Sequence, residues 1–558
     1  MTTARTASPP LLAVLLAATA APVAAQQVQA ELPDSVAERI VAFYNRAATT
    51  RLTGNAHIAP GTTVQGGVAV LGGILLLDGV VEGDVVVING TLEVRAEGVI
   101  RGTATVVGGD ARIAPGATVT GSAAVYREAL RYRSEEEELV YVPSYLERGL
   151  ATGVDLPFGR TDVLVASHGA YNRVEGLAIA LGPRVRFSGS HTTMAQALLI
   201  ARTATASELD ARRFGFDIRA EQLIERELGI TIGAQLFSLI APIEEWSLPD
   251  REAALAAFVL RRDYRDHYER EGWSGYARLA RPGYPYSITL EYRDEEHTVV
   301  SPADPFTLLN RNDEWRPQPL VAEGALRSVS LLLRYDTRNE QRDPSAGWLV
   351  DAALERGLGG GITIPLAPAP GEDIADARSG FLTTRIDVRR YARLAPYSRL
   401  NLRIVAMGSL DARALPPQRQ HTLGGEGSLP GYRLFAFDCG ARTAAIERGG
   451  QSHYPYYGCD RLALIQLEYQ AGFPFGRRLG QRAGLGSLAH LARWVAFFDA
   501  GRAWIEPAAR RGRPGGNDDF SVDAGLGIRF GPIGVYWAVP ISGRAEEVNF
   551  FVRVEPRI

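Results

Sequence analysis

Along much of the chain, apolar and polar residues alternate with a period of two. Leu400, Leu402 and Ile404 alternate with Asn401 and Arg403, and Ile465, Leu467 and Tyr469 alternate with Gln466, Glu468 and Gln470. Such a period places one set on each face of a β-strand. In a soluble sandwich the apolar face turns inward; in a membrane barrel it turns to lipid around a polar lumen. Alternation alone leaves both open. Runs of this kind begin near Asp162, Val174, Met194, Phe214, Gly229, Gly275, Tyr286, Val329, Trp348, Thr384, Leu400, Leu462, Trp494, Val522, Ile533 and Val548, which makes sixteen candidate strands. Most are long enough for the ~9–11 residues a tilted membrane strand needs. The segment from Trp246 to Trp273 breaks the rhythm. Ser247 and Pro249 precede an Ala- and Leu-rich stretch ending at Arg261, which predicts a helix inside a long loop, with Ser and Pro at its N-terminus.

A second pattern occupies the N-terminal part. Gly54, Gly73, Gly90 and Gly109 recur at intervals of 19, 17 and 19, and apolar residues follow each at plus two and plus four. Gly66, Gly83, Gly102 and Gly121 form a second set, each preceded two residues earlier by Val64, Val81, Ile100 or Val119. Each ~18-residue unit therefore holds three short strands with glycine at the corners, the signature of a β-solenoid whose stacked rungs bury an apolar axis. Glycine would supply positive φ at those corners. Ahead of the repeat, Val36, Ile40 and Phe43 share one face of a short amphipathic helix over residues 34–45. Behind it, Arg127, Arg131, Arg133 and the run Glu135 to Glu138 read as a charged connector.

Composition narrows the class. The 558 residues exceed an ordinary single soluble core. Charged residues are 22% and the formal net charge is −3, which argues against nucleic-acid binding. There is no lysine, so every side-chain cation is Arg or His. Arg5, the apolar run Leu11 to Ala21 and the small residues Val23-Ala24-Ala25 before Gln26 read as a signal peptide. No later segment is apolar enough for a membrane helix, so a membrane location implies a closed barrel. An exported chain meets an oxidising compartment. There Cys439 and Cys459 are expected to form a disulfide across about 20 residues, the alternative being two unpaired thiols. The expected organisation is a signal peptide (1–25), a short helical lead-in (26–52), a β-solenoid (53–126), a charged linker (127–160) and a barrel of about sixteen antiparallel strands (161–558), all-β overall.

The repeat resembles the polymer-forming β-helix of bactofilins, in phrases such as Gly83-Asp84-Val85-Val86-Val87 and Gly61-Thr62-Thr63-Val64-Gln65-Gly66. Hexapeptide-repeat acyltransferases share that architecture and use a catalytic His; His57, the one His here, otherwise reads as a solvated turn residue. The C-terminal part resembles the BamA/TamA-like outer-membrane assembly family through four motifs in order. They are Tyr335-Asp336-Thr337-Arg338 followed by Asp343-Pro344 and Gly347, Leu423-Gly424-Gly425-Glu426-Gly427-Ser428-Leu429-Pro430-Gly431-Tyr432, Phe498-Asp499-Ala500-Gly501-Arg502-Ala503-Trp504, and Gly525-Leu526-Gly527-Ile528-Arg529 with Gly531-Pro532-Ile533 and Pro540. Tyr171-Asn172-Arg173-Val174-Glu175-Gly176 is similar to barrels of unassigned function in the same broad group.

The resemblance implies that Leu423–Tyr432 begins a loop folded into the lumen, and that the strand of Phe498, Asp499 and Gly501 faces it. The family's tip normally carries an Arg that reaches a lumen acid; this chain has Pro430, and Arg433 is the nearest substitute. Asp499 is then expected to meet Arg433, or else Arg433 is solvated and Asp499 meets another lumen Arg such as Arg403. The family's client-receiving periplasmic modules are replaced by the β-solenoid, and the ending Arg557-Ile558 lacks the aromatic common in such barrels.

Three functions compete: an outer-membrane barrel in protein assembly, translocation or envelope biogenesis, with lipid around it and client or envelope proteins bound by a periplasmic solenoid; a structural scaffold in which the barrel anchors a polymer-forming β-helix; and a barrel enzyme. Against the enzyme, there is no Gly-x-Ser-x-Gly or His-Glu-x-x-His motif, and Ser167-His168 are neighbours that point to opposite strand faces. The cluster Asp263, Tyr264, Asp266 and His267 is either a metal site or, as preferred here, a helix-associated surface. No cofactor is expected.

Overall fold

In a computed structural model, residues 27–29, 32, 34–130, 132–135, 138–141, 149–156, 159–187, 193–204, 214–225, 228–281, 284–338, 343–362, 380–395, 398–411, 415–437, 439, 446–448, 451–453, 458–472, 492–505, 519–542 and 548–558 are described. The signal-peptide segment lies outside them. The described chain forms two compact units. One is Arg46–Val125; the other joins Val28–Asn45 to Tyr126–Ile558.

The first unit is the solenoid. Val68–Leu77 pairs in parallel with Val85–Val94, putting Val70 beside Val87 and Leu75 beside Leu92, and Val85–Val94 pairs in turn with Ala104–Val107 and Asp110–Ile113. The in-register side chains form its core: Val68, Val70, Leu75, Leu77, Val87, Leu92 and Val106 are fully buried. The glycine columns have a different cause from the one expected. Gly54 and Gly73 do have positive φ, but Gly90 and Gly109 do not. What they need is room: a Cβ at Gly73 would lie 2.4 Å from Gly54, and one at Gly109 would lie 1.6 Å from the Gly90 carbonyl oxygen. Successive rungs approach too closely there for any side chain. His57 sits on the solvated face, its Nε2 2.8 Å from Asp78.

The second unit opens with helix α1 (Asp34–Asn45), which buries Val36, Ile40, Val41 and Tyr44. The Asn45 side chain bonds both the N–H and C=O of Leu139, in a hairpin of Tyr132–Glu135 and Glu138–Tyr141. The rest is a 17-stranded antiparallel β-barrel sheet. Its strands are β1 (Gly149–Leu156), β2 (Gly159–Ser167), β3 (Ala178–Phe187), β4 (Thr193–Arg202), β5 (Phe214–Glu225), β6 (Ile230–Pro242), β7 (His267–Leu279), β8 (Tyr286–Val299), β9 (Gly324–Asp336), β10 (Gly347–Gly360), β11 (Leu382–Ala395), β12 (Ser398–Ser409), β13 (Arg461–Gly472), β14 (Ala492–Trp504), β15 (Ser521–Phe530), β16 (Ile533–Pro540) and β17 (Asn549–Arg553). Sixteen match the expected runs. The extra strand, β1, falls in the expected linker, where Gly149–Leu156 folds back on Gly159–Ala166. The largest boundary error is at β7, which begins at His267 rather than near Gly275. Helix α2 (Asp250–Leu260) occupies the loop before it; Pro249 is its N-cap, and Ser247 makes no capping bond.

The alternation resolves in favour of the membrane. On β12, Arg399, Asn401 and Arg403 are buried while Ile404 is exposed; on β13, Gln466, Glu468 and Gln470 are buried while Ile465 and Leu467 are exposed. The same inversion holds at Asp499 against Phe498 and at Arg553 against Phe550 and Val552. A polar interior and an apolar exterior make sense only with lipid outside. No described helix is long and apolar enough to cross a membrane; the strands do so. Because every ladder is antiparallel, alternate connections lie on opposite rims. One rim carries mostly short connections, among them the turn 531–532; the other carries long ones including 243–266, 300–323 and 410–460.

Candidate functional site: a loop seated in the barrel lumen

Within the long connection 410–460, the described residues 415–437 enter the lumen and are fastened at successive points. A 3-10 turn, Pro417–Arg419, begins the contact. Arg419 binds Glu355 of β10 in bidentate fashion, Nε to Oε2 at 2.8 Å and Nη2 to Oε1 at 3.1 Å, and Nη1 reaches the Tyr268 hydroxyl at 3.1 Å. Paired bonds of this kind fix orientation as well as charge. Beside it, the Gln418 amide donates to Nδ1 of His297 at 2.7 Å, which leaves the Nε2 proton of His297 facing Glu295 at 3.0 Å. Gln418 also exchanges bonds with the backbone of Ala322.

Thr422 comes next. Its N–H and hydroxyl both donate to the Glu244 carboxylate, at 2.7 and 2.5 Å. Glu244 lies in the loop after β6, and burial pushes its pKa up to about 7 in spite of those bonds. A carboxyl whose folded pKa exceeds its unfolded value of 4.5 favours folding when protonated. Its contribution is therefore complete below that unfolded value and is lost as pH rises to about 7. Loop anchoring should be firmer in mildly acidic than in mildly alkaline buffer, and Glu244→Gln should flatten that dependence. Protease cleavage within 410–460, followed against pH, checks this; an unchanged pH profile in the variant would contradict it.

The motif tip lies deeper. Gly424 and Gly425 have positive φ, at 111° and 89°. Gly431 is needed for proximity: its N–H donates to Asp523 of β15 at 2.6 Å, and a Cβ there would lie 2.7 Å from the Asp523 side chain. The Pro430 carbonyl accepts from the Asn549 amide at 3.0 Å, and the Ser428 carbonyl accepts from Gln466 at 2.9 Å. The Tyr432 hydroxyl lies 2.5 Å from the Ser542 carbonyl oxygen. Leu423, Leu429 and Tyr432 are buried with Leu462, Leu464 and Ala503 of the wall. Gly501 makes room for that cluster, since a Cβ on it would stand 2.7 Å from Leu423. Cys439 and Cys459 are bonded within the same cluster, with Cα atoms 5.0 Å apart.

The expected partner of Asp499 is not the one found. Arg433 is exposed, because the chain turns outward after Tyr432 enters the wall. Nor does Arg403 reach Asp499; it binds Asp387 at 2.7 Å and the Trp246 carbonyl at 2.9 Å. Asp499 instead accepts from Arg557 Nη2. Phe498, as expected from alternation, faces outward.

Two further anchors were hidden in quoted motifs. Arg173, fully buried in the turn after β2, reaches Asp266 at 2.7 Å and Asp263 at 3.1 Å. Those carboxylates are thus committed to guanidinium, and among the described residues no group of His, Cys, Asp and Glu is arranged to hold a metal. On the short-turn rim, Asp343 accepts from Arg399 at 2.5 Å and Arg529 at 2.9 Å, with Arg493 at 3.4 Å. Burial would raise its pKa, but the three arginines hold it at about 2. A cavity of about 280 Å³ remains in the lumen, bordered by Trp246, Arg293, Glu355, Arg385, Arg419 and His421.

The model of the Omp85 superfamily domain matches residues 265–550. Among solved structures, the chain is similar to BamA from Haemophilus ducreyi lacking POTRA domains 1-3, at 13% identity and a TM-score of 0.41, over 76% of this chain and 80% of that one. It is also similar to CdiB from Escherichia coli (12% identity, TM-score 0.29, 76% and 67% coverage) and CdiB from Acinetobacter baumannii (9%, 0.29, 76% and 64%). No curated protein matches the chain.

Proposed function

Since the chain belongs to the Omp85 superfamily, whose match spans a little over half of it, we propose that this outer-membrane barrel assembles or translocates envelope proteins, without covalent chemistry of its own. The observation that carries this reading is the loop in the lumen. It is held by discrete contacts, Arg419 to Glu355, Thr422 to Glu244 and Gly431 to Asp523, rather than by continuous strand pairing. A plug held in this way can be released in steps, which a passage for client chains requires. Its charged lumen offers polar partners to an unfolded segment, while lipid meets only the apolar exterior.

The solenoid is assigned to the periplasm as a module for client or envelope partners. Support comes from the order of the chain: the repeat precedes the barrel, in the place where the family it resembles carries its client-receiving periplasmic modules. The competing scaffold reading is separated by depletion of the protein, followed by proteomics of the outer membrane. Broad loss of barrel proteins is the expected result. A normal barrel inventory with altered cell shape would contradict it and favour the scaffold.

A further inference from the structure

The lumen cavity of about 280 Å³ is bordered by one cation that the fold does not use. On β11, Thr383 and Asp387 are buried on the lumen face and Ile386 is exposed on the outer face, which places Arg385 in the lumen. Its cross-strand neighbours, Ala353 of β10 and Met407 of β12, border the same cavity. Among the described residues Arg385 makes no ion pair or hydrogen bond, and it is exposed, so water reaches it inside the barrel. The other arginines around the cavity are committed: Arg270 to Glu295, Arg293 to Glu291 and Arg419 to Glu355. From the loop, His421 borders the cavity as well. Its backbone exchanges two hydrogen bonds with Cys459, at 2.9 and 2.7 Å, which fixes where the ring stands. Its Nδ1 is buried and has no hydrogen-bond partner among the described residues. Burial first, then the charges of Arg385 and Arg419, hold the imidazole pKa down at about 4, and no carboxylate opposes them. The ring thus registers a positive potential at this end of the cavity. Glu245 also borders the cavity but does not offset that potential at His421.

We propose that this end of the cavity is a carboxylate-binding site, in which Arg385 takes the carboxylate, His421 lies beside it, and Trp246, Leu332 and Met407 receive an apolar group attached to it. A guanidinium with all its donors unspent matches the two oxygens of a carboxylate, and the attraction is stronger in a lumen than in bulk water. A single negative charge suits the site better than the higher charge of phosphate, because Glu245 and Glu355 border the same cavity. The carboxylate is that of a free small acid or of an acidic side chain on a polypeptide; the chemistry recognised is the same. This assignment goes beyond the assembly reading and stands or falls separately from it.

The test is calorimetric titration of the full chain, folded in non-ionic detergent micelles, with 3-phenylpropionate, 3-phenylpropanol, phenethylammonium and inorganic phosphate. The carboxylate should bind on the order of tenfold more tightly than the alcohol, as expected for hydrogen bonds to a charged group, and more tightly than the ammonium or phosphate. Arg385→Gln should abolish that preference while the folded, heat-modifiable band on gels melts where the parent's does, since the substitution breaks no contact. In a variant whose one tryptophan is Trp246, emission should change on titration with 3-phenylpropionate. A blocked peptide carrying one glutamate separates the two sources: binding tighter than 3-phenylpropionate identifies a polypeptide side chain, and weaker binding a free acid. No binding of 3-phenylpropionate would overturn the proposal, as would equal binding of the alcohol, tighter binding of phosphate, an unchanged Trp246 emission, or a carboxylate preference that survives Arg385→Gln. Failure of Arg385→Gln to fold would overturn it too, because Arg385 would then already have a partner.

Discussion

Arg419→Ala is expected to release the inward loop more than any other single change within it. The guanidinium forms two bonds to Glu355 and one to Tyr268, and Glu295 lies 3.6 Å away. Its removal leaves Glu355 in the wall without its bidentate partner. Breaking a buried pair in this way costs about 3–5 kcal/mol. Because the side chains of Arg419 and Glu355 keep 15% and 12% exposure, the lower end, ~3 kcal/mol, is appropriate. The readout is the temperature at which the folded band is lost, together with protease cleavage in the loop. A double-mutant cycle with Glu355→Ala should show coupling, the double change costing less than the sum of the two. Strict additivity would mean that the pair does not hold the loop.

Arg173→Ala should be at least as severe, by a different route. Arg173 is fully buried, and its guanidinium bridges Asp263 and Asp266 and donates to the Arg265 carbonyl at 2.5 Å. The substitution leaves buried Asp263 without its guanidinium, while Asp266 keeps Arg316 at 2.7 Å; breaking such a buried pair costs about 3–5 kcal/mol, and it frees the turn after β2 from the segment before β7. Arg173→Lys should recover little, since one ammonium cannot bridge both acids. The pH dependence follows from Asp263. Burial raises its pKa, but Arg173 and neighbouring groups outweigh this and hold it below the usual carboxylate value. A depressed carboxyl stabilises the fold above its unfolded pKa and loses that contribution as pH falls through the folded value. The gap between Arg173→Ala and the parent should therefore narrow in acid. A gap that stays constant to low pH would show that Asp263 does not depend on Arg173.

Much of the fold was legible because the signals were periodic. Seventeen- and nineteen-residue glycine spacings forced the solenoid, and period-two alternation located sixteen barrel strands. Residue burial then resolved what alternation could not, with Gln466 inward and Leu467 outward. The boundaries of β7 slipped because His267-Tyr268-Glu269-Arg270 carries no alternation of hydrophobicity: Tyr268 and Arg270 share one face, His267 and Glu269 the other. At the lumen site, the quoted motifs fall on the loop and on β14, and Gly501 lies against Leu423. The anchors were not legible. Arg419, Glu355 and Glu244 are far apart in sequence, and nothing local marks them as partners. The choice of Arg433 for Asp499 followed sequence proximity to the tip, whereas Arg557 arrives from a distant segment. Proximity along the chain is a poor guide inside a barrel, where strands many residues apart face one lumen.

The central claim is a barrel with lipid outside and a polar, loop-filled lumen within. Tryptophan fluorescence tests it directly. Trp537 on β16 is 44% exposed on the outer face, whereas Trp246 lies on the lumen side beside Arg403, 5.7 Å from its guanidinium carbon. In variants that retain one or the other tryptophan, reconstituted into vesicles whose acyl chains are brominated, Trp537 should be strongly quenched and Trp246 should not. Equal quenching, or quenching of Trp246 alone, would contradict the account.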